Sequence, residues 1–147
     1  MPSTPSLTPS AAVAPTTDDG LRVAVLISYG LFGLAVFNGL TAIVGVVLAY
    51  VKRSEARGTV WEGHFSNLIT VFWAAIILFV VIAAVVLPTT FGFLFSMFAS
   101  NGNPPPAQVG WLIAVVPGIV LVMILFGIWY LYRVLRGFLH AIDTKPY

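Results

Sequence analysis

The sequence predicts an all-α integral membrane bundle of three transmembrane helices, with a short apolar extension after the second helix. Three observations carry that expectation. Asp, Glu, Lys and Arg are absent from residues 23–51 and again from residues 63–132, runs of 29 and 70 residues. Hydrophobic residues make up 59% of the 147-residue chain and charged residues 8%, against about 25% charged in soluble domains. A charge at the centre of a membrane helix costs about 2.5–3.5 kcal/mol, so a bilayer accounts for gaps that a water-exposed surface does not. A span takes about 20 apolar residues. The first gap therefore holds one helix and the second holds two.

The first twenty residues, MPSTPSLTPSAAVAPTTDDG, are rich in Pro, Ser, Thr and Ala and lack periodicity. Such a segment buries too little apolar surface to offset its ordering entropy, so residues 1–20 are expected to form a disordered tail. No basic stretch precedes the first apolar run, and a cleaved signal peptide is not expected. Helix one is predicted over 21–50, with a bend or local unwinding at Asn38-Gly39. Residues 51–62 form a polar connection. In it, Thr59 and Glu62 have the spacing of a capping box, which starts helix two near Val60. Helix two runs to about Leu87, where Pro88 bends or ends it. Residues 91–98 are apolar but too short to span, and fit either a continuation past the kink or an interfacial segment. SNGNPPPAQVG, 100–110, is a loop by its turn residues. Helix three covers 111–136 with a kink expected at Pro117-Gly118, and a short polar tail follows. Residues 21–147 thus make one transmembrane domain.

Basic residues orient such a chain. Lys52, Arg53 and Arg57 lie in the first connection, and Arg133, Arg136 and Lys145 follow or close helix three. With three spans these six share a side, predicted to be cytoplasmic, and the N-terminal tail lies outside.

The polar residues exclude more than they assign. No ionisable group lies at membrane depth, which argues against proton coupling and against an enzyme working inside the bilayer. There are no cysteines, so thiol chemistry and thiolate metal sites are absent, and a net charge of +2 gives no basis for nucleic-acid binding. No metal or cofactor is expected. His64 and His140, the two histidines, are the only candidates for holding a haem or chlorophyll. His64 is better read as a neutral ring donating to a nearby carbonyl or carboxylate. The candidate interaction rim is Lys52, Arg53, Arg57, Glu62, His64, Arg133 and Arg136. Arg133, Arg136 and His140 are spaced to share a face, suited to anionic lipid, a partner, or a clamp onto Glu55 or Glu62. Tyr50, Trp61, Trp129, Tyr130 and Tyr132 suit an aromatic belt. Ala35 with Gly39, and Gly45 with Ala49, give the small-xxx-small spacing of closely packed membrane helices, beside the polar Asn38 and Thr41. The partners expected are the lipid bilayer and either a second copy or another membrane protein. The leading function is structural or interactive. A pore lined by Asn38 and Thr41 is the alternative, and a redox subunit the third.

Three stretches together carry a resemblance. They are Phe37-Asn38-Gly39-Leu40-Thr41-Ala42-Ile43-Val44-Gly45 leading to Tyr50 and Lys52-Arg53; Glu55-Ala56-Arg57-Gly58-Thr59 continuing through Glu62, His64-Phe65 and Phe72-Trp73; and Tyr132-Arg133, Arg136-Gly137 and Lys145-Pro146-Tyr147. The pattern resembles a family of small, uncharacterised bacterial inner-membrane proteins, loosely related to the Tic20-like group. The resemblance implies a compact helical domain in a bacterial inner membrane and brings no established activity, though the distant kinship lends some weight to translocation. It also implies basic or amide residues after the His-Phe pair. Here Ser66, Asn67, Leu68 and Thr70 supply no basic group, leaving Glu62 and His64 as the polar pair.

Overall fold

A computed structural model describes residues 17–147. The helices among these residues, with no strand among them, run in the order α1 (Thr17–Asn38), α2 (Leu40–Arg53), α3 (Trp61–Ala99) and α4 (Pro106–Ile142). Three of the four, α1, α3 and α4, are long and apolar enough to cross a membrane. Most of the predicted tail, 1–16, lies outside the described residues. Its last four, 17–20, form the first turn of α1, where Asp18 and Asp19 complement the positive end of the helix dipole.

The predicted helix one is two helices. Gly39 separates them with φ +68° and ψ −37°, a conformation open to glycine and strained for other residues. The break is a reversal, because Gly45 of α2 returns against Phe32 and Leu31 of α1. In a continuous helix Phe32 and Gly45 would be about 20 Å apart. The turn satisfies most of its own backbone. The Gly39 N–H donates to the Ala35 carbonyl, the Ala42 N–H donates to Gly39, and Asn38 Oδ1 accepts from both the backbone and the hydroxyl of Thr41. A turn closed in this way tolerates apolar surroundings.

The reversal changes the topology expected from three spans. Arg22 near the start of α1 donates to the Ile142 carbonyl at the end of α4, 3.0 Å away. Further along, Tyr29 lies over Gly137, and Tyr130 donates to the Phe32 carbonyl. Helix α1 therefore runs antiparallel to α4 and starts at the end where α4 finishes. Helix α2 returns to that same end to enter α3. The start of α1, the 54–60 connection and residues 143–147 share one end of the bundle, whereas the three-span reading put the first of these opposite the other two. Length and hydropathy missed this because they count apolar residues and do not register a turn that one glycine permits.

The other boundaries also moved. Helix α3 continues through Pro88 to Ala99, so residues 91–98 belong to the helix. Helix α4 begins at Pro106, in the first turn where its missing N–H costs nothing. It passes Pro117 without interruption and extends to Ile142. Val134, Gly137 and Ala141 are buried, and packing of that stripe holds the polar-looking tail in helical form. The core lies at the shared end and includes Leu21, Val25, Tyr29 and Phe32 of α1, Val46 and Ala49 of α2, and Phe65 and Leu68 of α3. Beyond it α3 and α4 continue as an exposed apolar pair, joined near the far loop by a Ser96–Gln108 hydrogen bond. Gly45 belongs to the hairpin, since a Cβ there would come within 2.8 Å of the Phe32 ring. The variant Gly45→Leu is expected to prise α2 from α1 and cost about 1–3 kcal/mol, read as a fall in the thermal midpoint in detergent.

Candidate functional site

All twelve charged residues of the chain lie toward the shared end. The seven basic ones include Arg22, which the three-span reading had placed apart. The far loop, residues 100–105, carries none. The charged end is built on a buried polar chain. Asn67 Nδ2 donates to the Tyr29 oxygen at 3.1 Å. Tyr29 in turn lies 3.3 Å from His64 Nδ1, and His64 Nε2 lies 2.9 Å from the Lys145 carbonyl. A carbonyl only accepts, so Nε2 carries the proton and Nδ1 accepts from the Tyr29 hydroxyl. His64 is fully buried and Tyr29 is 1% exposed. The donation to Lys145 is of the kind expected for His64, and both ring nitrogens are engaged. His140 bonds the Arg136 carbonyl of its own helix and lies apart from this chain of bonds.

Residues 143–147 are more than a tail. They fold over the start of α3, where Tyr147 packs against Gly63 and edge-on to His64. The Arg133 Nε donates to the Tyr147 hydroxyl at 3.0 Å, and the guanidinium lies over both the Tyr147 and Trp129 rings. Arg136 instead stacks on Tyr132 and donates to its hydroxyl. The structure therefore gives Arg133 and Arg136 different partners, and neither clamps Glu55 or Glu62. Glu55 pairs with Lys52 at 2.8 Å on the surface, a contact worth less than about 1 kcal/mol. Arg53 and Arg57 are exposed. Glu62 accepts from the Gly58 N–H, and Thr59 accepts from Trp61, a cap displaced one residue from the box that the spacing suggests.

Of the small residues expected in helix packing, Gly45 and Ala49 are buried. Ala35 and Gly39 instead line a cleft of about 470 Å³ between the hairpin turn, α3 and α4. Phe72, Phe79, Phe126 and Tyr130 also line it. Asn38 and Thr41 bond each other at the turn. Tyr50 and Trp73 are joined by a hydrogen bond of 2.8 Å, which adds Trp73 to the aromatic rim.

Sequence reasoning did not place Tyr29, Asn67, Gly137 or Tyr147 among the candidate site residues. Leu21, Val25, Ser28, Tyr29 and Phe32 do keep helical spacing, the one available signal for the α1 face. Removing the Tyr29 hydroxyl strands a donor on Asn67 and an acceptor on His64. The variant Tyr29→Phe is expected to destabilise the protein by about 1–3 kcal/mol, measured as a lowered thermal midpoint with helix content unchanged at low temperature.

No family model, curated protein or solved structure matches this chain.

Proposed function

We propose that this chain is an interaction protein of the bacterial inner membrane. The α3–α4 pair anchors it, and it presents its charged end to a partner on the cytoplasmic side. The observation that carries this reading is the collection of every charged side chain around a packed, polar-cored end, while the rest of α3 and α4 is bare and apolar. With Arg22 at the same end as the other six basic residues, the positive-inside rule favours cytoplasmic placement for residue 17, the 54–60 connection and residue 147 alike. The partner is a second copy or another membrane protein.

Two measurements test this. The chain has no cysteine of its own, so single cysteines at Asp18, Ser54, Lys145 and Asn103 report sidedness cleanly. The first three are expected to react with an impermeant thiol reagent from one side and Asn103 from the other. Reaction of Asp18 and Asn103 from the same side overturns the topology. For the function, a photo-crosslinking residue at Arg57 or Arg136 is expected to give discrete protein adducts in cells, with Leu121 on the anchor as comparison. A dimer mass identifies a second copy, and any other discrete mass identifies a different protein. Adducts at Leu121 alone, or none, sink the reading.

A further inference from the structure

We infer that the cleft beneath the hairpin turn, together with Arg133, forms a binding site for one anionic phospholipid, with an acyl chain in the cleft and the phosphate on the guanidinium. The cleft of about 470 Å³ lies within the range of small-molecule sites, about 300–1,000 Å³, and its lining is apolar apart from Tyr130. The Tyr130 hydroxyl already donates to the Phe32 carbonyl, so the interior offers nothing to a polar solute.

The route from cleft to charge is built on one face of α4. Phe126 lines the cleft, the Trp129 ring lies 5.3 Å from the Phe126 ring, and the Arg133 guanidinium lies 5.3 Å above Trp129. Spacings of three and four place these residues in a row. Arg133 is held between Trp129 and Tyr147, with Nε committed to the Tyr147 hydroxyl. Its two Nη groups have no hydrogen-bond partner among the described residues. A fixed guanidinium with free donors suits a phosphate. Its place, one turn past the aromatic rim, is the level of lipid headgroups. Charge complementarity with an apolar slot alongside selects a lipid over a free anion or a peptide. The site does not depend on the charged end having a protein partner.

The test is native mass spectrometry of the purified protein with equimolar phosphatidylglycerol and phosphatidylcholine of the same chains. One phosphatidylglycerol is expected to be retained at about fivefold higher occupancy, the preference one basic residue confers near an anionic surface. The variant Arg133→Gln is expected to erase the preference while still retaining lipid. Gly127 lines the cleft and has open space where a Cβ would stand. The variant Gly127→Leu is therefore expected to fill the slot and reduce retention of both lipids without changing the thermal midpoint of delipidated protein. Equal occupancy of the two lipids, a preference that survives Arg133→Gln, or unchanged retention in Gly127→Leu overturns the proposal. Retention of inorganic phosphate or free fatty acid in place of the phospholipid overturns it as well.

Discussion

Replacing Gly137 with alanine is expected to destabilise the protein by about 2–6 kcal/mol, more than a single methyl group elsewhere in the chain. The new Cβ would fall on the Tyr29 ring and hydroxyl. Tyr29 is buried and held by hydrogen bonds to Asn67 and His64, so it has nowhere to swing. Overpacking of this kind costs about 1–3 kcal/mol. Moving Tyr29 also strands its two buried partners, at about 1–3 kcal/mol more. Thermal unfolding in detergent measures the loss. A double-mutant cycle with Tyr29→Leu assigns it, because the smaller side chain should recover at least about 1 kcal/mol of the Gly137→Ala penalty. Additive effects of the two substitutions would show that the helices meet elsewhere.

The second large effect is expected at Gly39. Valine at φ +68° and ψ −37° brings a branched Cβ into a strained region, at about 1–3 kcal/mol. A single helix over 17–53 offers the chain relief, since it restores regular backbone bonding across the turn. The variant Gly39→Val is therefore expected to populate that straight form. Spin labels at Ile27 and Val51, both exposed, report it directly. In a continuous helix the labelled positions are about 36 Å apart, and the hairpin brings them much closer. A long component present in Gly39→Val and absent from the parent confirms the role of the turn. Identical distance distributions refute it.

The apolar helices were legible because charge is so costly in hydrocarbon that its absence over 29 and 70 residues leaves little alternative. The start of α3 was legible from the Thr59 and Glu62 signal to within one residue. The break at Asn38-Gly39 was visible too, but its angle was not. Glycine permits a kink and a reversal alike, and the choice is made by contacts such as Phe32 on Gly45 that are remote along a straight helix. The extension of α4 was hidden for a related reason, since His140 and Asp143 read as a polar tail until Gly137 is seen against Tyr29 of α1 and Ala141 is seen buried. Of the rim, the residues were legible and their partners were not. Arg133 and Arg136 share a spacing, yet rings on either side draw them apart.

The hairpin also gives the molecule a taper. Around the charged end four helices stand side by side, and past the turn at Gly39 only α3 and α4 remain. A helix is about 10–12 Å across, so each occupies roughly 80–110 Å² of a membrane plane, and the two leaflets are asked to accommodate very different areas. Such a wedge is least strained where the broader leaflet is already splayed. Its distribution within a membrane should then follow the local bending, with higher density where the leaflet around the charged end is convex.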